Sequence, residues 1–433
     1  MTISSSLSAS VAGLNANATR LAAISDNIAN SSTYGYKRVS TEFTHMVTAG
    51  NRGAGTYSAG GVRAGTTRLI EERGDLIGTS KALDLAVAGR GMLPVMAEVS
   101  LGSGGGALLM TRTGSFSLDA DGVLKTETGL VLMGWPADAN GTIPAQPRDS
   151  MAGLRPIIIN PNQAVGNPTT QIGFGVNLPA TMTVAGSTTA PPPLSVEYFD
   201  NLGISRTMEM TFVPNVPVAG ASNQWTMQMR DSASGNALVG EFTMTFDGTR
   251  GSGGTLLSVT PVSGGTYNAT TGALNVTVAG GPMAVVVGKI GDPSGMTQLS
   301  DTFLPVSVTK NGSPVGTLTT LEVDKNGYVN ATYDTGFTRR LYQIPLVDVP
   351  NPNGLEALSN QTYQVSPDSG SLFLWDAGSG PTGSVEGYSR EGSKTDVAGE
   401  LTALIQTQRA YSSNAKVIQT VDEMLQETTN IKR

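Results

Sequence analysis

Cysteine is absent from this 433-residue chain, and with it go disulfides, thiolate nucleophiles and zinc sites built on sulfur. Histidine occurs once, at His45; a catalytic triad needs an imidazole oriented by a third group, and one unsupported histidine is a poor basis for it. Charged residues make up only 14%, against about 25% in ordinary soluble domains. The net charge is −7 with no basic run, so the clustered Lys and Arg of a nucleic-acid binder are missing. No stretch of about 18 uninterrupted apolar residues occurs, and insertion into a membrane as a helix is not expected. The opening Met1-Thr2-Ile3-Ser4-Ser5-Ser6 has neither a charged nor an apolar signal region, and the first basic residue is Arg20; on this ground alone the chain reads as cytosolic.

Motifs for chemistry are equally scarce. There is no G-x-S-x-G elbow. Gly288-Lys289 is followed by Ile290 and has no upstream glycine, so it is not a phosphate loop. Gly89-Arg90-Gly91 lacks the third glycine of a dinucleotide turn. Asp119, Asp121 and Asp324 read better as turn formers than as calcium ligands, because the twelve-position ligand loop does not complete. No spacing points to a pair of glycosidic carboxylates. No catalytic, cofactor-binding or metal-binding residue is assigned, and no enzyme activity is expected.

What is abundant is glycine, 54 residues, with 23 prolines spread through the middle, the mark of turn-dense β structure. The two ends differ. Leu7, Val11, Leu14, Ala18, Leu21, Ile24 and Ile28 at the start, and Val397, Leu401, Leu404, Tyr411, Ala415, Ile418 and Leu425 at the end, advance mostly by threes and fours. That is the seam of an amphipathic helix that needs a partner helix. Isolated helices of this length are marginal in water, and no second helical pattern lies near either one. The partner is therefore the opposite terminus or another subunit. Asp396 is placed to cap the last helix, whose first turn Gly399 weakens.

Between the ends the fold class reads as mainly β, with two antiparallel β domains nested between paired, coiled-coil-like terminal helices. Asp119-Ala120-Asp121-Gly122 and Asp324-Lys325-Asn326-Gly327 are two hairpin signals of the same kind. They suggest one β domain made from both halves, 74–190 plus 296–394. An insertion at 191–295 shows clean alternation, as in Met208, Met210 and Phe212 interleaved with Thr207, Glu209 and Thr211, which predicts half-buried antiparallel strands in a sandwich or small barrel. Residues 31–73 read as an extended linker lying against neighbours. Residues 1–30 with 395–433 form the helical part.

Stretches at both ends and in the middle of the chain are similar to a known family. Val11-Ala12-Gly13-Leu14-Asn15-Ala16, Ile24 to Asn30 and Tyr34-Gly35-Tyr36-Lys37 resemble the N-terminal signature of bacterial flagellar rod and hook proteins. Gln408 to Thr420 is similar to that family's closing helix, and Thr111-Arg112-Thr113-Gly114-Ser115-Phe116, Asp121-Gly122 and Gly354-Leu355 with Tyr363 and Ser369-Gly370 also match. One departure is Gly91-Met92-Leu93, where the family has an aromatic pair. The extra outer β domain fits hook-type members better than short rod proteins. The resemblance implies a structural subunit that self-assembles into a curved helical tube, a universal joint passing torque from rod to filament. It implies type III export without a cleaved signal peptide, a place in the extracellular flagellum, and distal rod, cap and hook–filament junction proteins as partners. Competing readings are a distal rod or hook-associated axial protein and, in another class, a secreted β-rich adhesin.

Overall fold

A computed structural model describes residues 3–47, 59–100, 106–138, 141–161 and 164–431. It is mainly β, opened by helix α1 (Ile3–Ala29) and closed by helix α2 (Val397–Ile431). The chain divides into two compact units: one holds Met1–Pro161, Thr320–Ala331 and Thr338–Arg433, the other Asn162–Thr319 and Thr332–Phe337.

In the first unit, α1 and α2 run antiparallel. Asn27 Nδ2 donates to Glu400 Oε1 at 3.0 Å, and fourteen residues away along both helices a Cβ built on Gly13 would meet the Asn414 amide at 3.0 Å. The segment after α1 forms a hairpin, strand β1 (Val39–His45) with β2 (Val62–Arg68), in register from Val39–Arg68 to His45–Val62. The hairpin packs on α1, which supplies the apolar support that 31–73 lacks by itself. The main sheet of this unit takes strands from both halves of the sequence: Glu356–Ala357, Thr362–Gln364, Leu109–Thr111, Leu93–Ala97, Leu130–Pro136, Leu124–Thr126, Thr113–Leu118, Asp84–Ala88 and Ser384–Glu386 follow one another by hydrogen bonding. Its core gathers Met92, Met110, Trp135, Val347, Tyr363 and Leu374.

The Asp-x-x-Gly hairpins close as their chemistry demands. Asp119 Oδ1 accepts from the Asp121 and Val123 amides, and Asp324 Oδ1 from those of Asn326 and Tyr328. Each turn ends on a glycine with φ near +78°, Gly122 and Gly327, a region that costs a β-carbon dearly. Both carboxylates cap their turns through Oδ1, and Asp119 Oδ2 also pairs with Lys125 at 2.9 Å.

The second unit is a sandwich. Strands Leu194–Phe199, Ser205–Pro214, Gln224–Asp231, Ala237–Phe246 and Leu256–Ser263 make an antiparallel sheet. The alternating residues of the sequence point inward: Met208, Met210, Phe212, Trp225, Met227, Met229, Phe242 and Met244 are fully buried. They meet Ile172, Phe174, Val176, Leu274, Val276 and Val285 of a facing sheet in one cluster. At about 1.5–3 kcal/mol per buried side chain, this core is the unit's main support. The unit reaches well outside 191–295, because Gln171–Leu178 supplies the centre of the facing sheet and Leu304–Lys310 pairs with it. Expecting two purely antiparallel domains also needs correcting. Gln171–Leu178 pairs in parallel with Gly281–Val286 and Thr297–Gln298. A connection of about a hundred residues separates these partners, ample for the crossover that parallel pairing requires.

Met227→Ala, which empties the centre of this core, is expected to lower the stability of the second unit by about 2–5 kcal/mol. Leu202→Ala, at a residue 77% exposed, should change it by less than about 0.5 kcal/mol. Urea unfolding followed by tryptophan fluorescence in a Trp135→Phe, Trp375→Phe background, which leaves Trp225 as the reporter, reads both.

Candidate subunit interface and the junction that presents it

Three sequence stretches meet at one buried carboxylate. Tyr34–Lys37 leaves α1, Thr111–Phe116 belongs to the main sheet, and Ser389–Gly392 leads to α2; all touch Glu391. Lys37 Nζ lies 2.5 Å from Glu391 Oε1 and Arg112 Nε lies 2.8 Å from Oε2, with all three side chains at most 5% exposed. The Gly74 amide donates to Oε1 at 2.8 Å. The Glu391 backbone is used as well: its carbonyl accepts from the Gly35 amide at 2.7 Å, and its amide donates to Thr113 Oγ1 at 3.2 Å.

Arg112 is held from behind by carbonyls. Its Nη1 donates to Gly89 and Gly91 and its Nη2 to Val87, at 2.7–3.0 Å. Gly89 and Gly91 have φ of +114° and +107°, and a Cβ on Gly89 would fall 2.8 Å from Gly383 Cα. The Gly-Arg-Gly stretch therefore curls its carbonyls around a guanidinium. Burial by itself would push the Glu391 carboxyl up, but the Arg112 and Lys37 charges and the hydrogen bonds outweigh it and hold the carboxyl below its ordinary value.

A second knot ties this junction to both helices. Asn27, fully buried, donates from Nδ2 to the Val39 carbonyl and to Glu400, and accepts at Oδ1 from the Val39 amide. Its side-chain amide thus pairs with Val39 as a neighbouring strand would. The Tyr36 hydroxyl sits 2.9 Å from Asp26 Oδ2 and 3.0 Å from Asn27 Oδ1; burial first, then Asp26, pushes it up to about 12, so it stays a donor. Arg38 bridges Glu72 at 2.9 Å and approaches Glu400 at 3.9 Å.

The buried residues of the two helices are mostly small or polar. In α1, Ser10, Gly13, Ala16, Asn17, Ala23, Ile24 and Asn27 are buried; in α2, Glu400, Thr407 and Val421 are. The last three, with half-buried Asn414, repeat every seven residues, a true seam. Of the apolar residues singled out from sequence, Ile24 is buried and Leu7, Leu14, Leu21, Ile28, Leu404 and Ile418 are half-buried. Val11, Val397, Leu401, Tyr411 and Leu425 stand exposed at 40–46%. Sequence periodicity marked the greasy side of each helix; the intrachain contact uses a neighbouring, more polar side. Glu391, Arg112 and Asn27 carried no assigned contact, because Glu391 and Arg112 lie in or beside short strands and Asn27 in a helical pattern, and none of these patterns names a distant partner. Their signal was the scarcity of charge itself.

Comparison with known proteins adds sequence similarity along the whole chain. Residues 7–37 match the flagella basal body rod protein family, 167–313 the flagellar basal body protein FlaE D2 domain, and 385–431 the flagellar basal body rod FlgEFG protein C-terminal family. The flagellar hook protein FlgE of Rhizobium meliloti is 33% identical, with all of both chains covered. The chain belongs to the flagellar hook protein family. FlgE of Brucella suis is 30% identical over 98% of each chain, and FlgE of Salmonella typhimurium 29% identical over 99% of this chain and 100% of that one. A Helicobacter pylori flagellar hook protein FlgE2 structure aligns over 74% of this chain and all of that one with a TM-score of 0.45 and 12% identity, too distant to carry an argument. The junction built on Glu391 joins the first and third matched regions, since Gly35 and Lys37 lie in one and Glu391 in the other.

Glu391→Gln leaves two buried cations short of a counter-charge and is expected to cost about 3–5 kcal/mol, measured by chemical denaturation of the first unit. In the parent, the depressed Glu391 value means a contribution present above its ordinary value of 4.5 and lost as pH falls below it. Acid titration of stability should therefore be flatter in the variant than in the parent.

Proposed function

We propose that the chain is a structural subunit of the bacterial flagellar hook, polymerising into a flexible curved tube that passes torque from rod to filament. The observation that carries this reading is the set of apolar side chains left exposed on α2. Val397, Leu401, Ile405, Tyr411, Val417, Met424 and Leu425 are 40–52% exposed, an arrangement costly in a lone molecule and useful in a stack of them. A head-to-tail contact that does not close into a ring generates a helical filament.

In this reading the terminal helices, residues 1–30 and 395–433, pack coiled-coil-like against sister copies around a channel. Leu7, Val11, Leu14, Leu21, Ile24, Ile28, Val397, Leu401, Leu404, Tyr411, Ile418 and Leu425 are the subunit-packing residues. Residues 31–73 link the helices to an inner β domain, and the outer domain, the sandwich unit of Asn162–Thr319 and Thr332–Phe337, bears on its neighbours. Rigid β bodies joined by glycine-rich connectors can shift by small steps, so the tube bends while it turns. Export through the flagellar type III apparatus without a cleaved signal, and contacts with distal rod, cap and junction proteins, complete the proposal. The role is mechanical, with no substrate.

Deleting residues 397–433 should leave the sandwich unit folded, with native fluorescence from Trp225, while abolishing assembly. Electron microscopy and sedimentation at high protein concentration decide it: tubes from the parent and none from the truncation support the reading. Tubes from both would overturn it.

A further inference from the structure

An open groove of about 420 Å³ runs between α1, α2 and the β1–β2 hairpin. Ala9, Gly13, Gly61, Ala410 and Phe43 are among its lining residues. Arg20, the one charged residue lining it, stacks over the Phe43 ring at 5.7 Å and has no carboxylate partner among the described residues. The groove is wide, shallow and positively marked.

The far end of α2 has complementary properties. By the register set at Asn27–Glu400 and Gly13–Asn414, Ile3 lies opposite Met424, so α2 from Leu425 onward runs past the start of α1. Met424 and Leu425 are 52% and 42% exposed. Asp422 and Glu423 bond only to Gln426 and Gln419 of the same helix, and neither they nor Glu427 meets a cation among the described residues. This end cannot reach its own groove. Ala410 and Leu425 are fifteen residues apart on one straight helix, about 22 Å.

We propose that the groove receives the C-terminal end of α2 from a second copy of the chain, with Leu425 against Phe43 and Asp422 beside Arg20. Phe43, 41% exposed, offers the incoming helix an apolar contact, and the one arginine meets a carboxylate on that helix. Donor and acceptor surfaces differ, so each docked copy leaves a free end and a free groove, and the contact propagates. The inference rests on the hook-subunit reading and adds to it a named axial contact.

Charge exchange in the full-length chain tests it. Arg20→Glu and Asp422→Arg should each raise the protein concentration needed for tube assembly by about tenfold or more, since like charges are then opposed. The double variant should return to within about threefold of the parent. Circular dichroism of each monomer confirms that the helices are kept. Independently, the cysteine-free background allows Phe43→Cys and Leu425→Cys variants to be mixed; on oxidation of the tubes a disulfide-linked dimer is expected. Single variants that assemble like the parent, a double variant no better than the singles, or tubes without the cross-link each overturn this contact while leaving the hook-subunit reading intact. A parent chain that forms no tubes sinks both.

Discussion

The buried Glu391 carboxylate is the constraint on which the first unit depends. Placing a carboxylate, an ammonium and a guanidinium out of water is costly unless every group is paired and its remaining donors and acceptors are met. Here both carboxylate oxygens, the Glu391 amide and carbonyl, and three of the Arg112 nitrogens are all engaged. Such a set tolerates little displacement, because a small slip strands a charge in the interior. It therefore fixes where the chain leaves α1 and where it enters α2. In a protein with so few charges, this concentration at one junction is a specification of geometry more than a source of stability.

From that fixed junction the helices project as a pair held by polar and small residues at close range. A seam of Ser10, Gly13, Asn17 and Asn27 against Glu400, Thr407 and Asn414 aligns the helices while leaving Val11, Val397, Leu401, Ile405 and Tyr411 exposed. The division is useful for a polymer subunit. An apolar seam inside the pair would have consumed the surface that sister molecules need. The polar seam sets register, as a buried Asn does in coiled coils, and the apolar residues stay available.

Much of this architecture is legible in the sequence. The helices at both ends follow from their three-and-four spacing, the sandwich strands from the alternation around Met208, Trp225 and Phe242, and the tight turns from Asp119 and Asp324. The spacing did not reveal which side of each helix faces the other, because hydrophobicity ranks Leu401 and Tyr411 above Glu400 and Thr407. Nor did it reveal Glu391, whose role depends on residues 279 to 354 positions away. The parallel pairing of Gln171–Leu178 was hidden for the same reason, since local pattern does not encode a partner a hundred residues on.

The most direct measurement is a density map of the assembled tube resolving side chains. The account expects Val397, Leu401 and Tyr411 to be covered by neighbouring copies in the inner layer, with Lys37, Arg112 and Glu391 joined as in the single chain. Terminal helices standing apart from all neighbours, or a dismantled Glu391 junction, would contradict it.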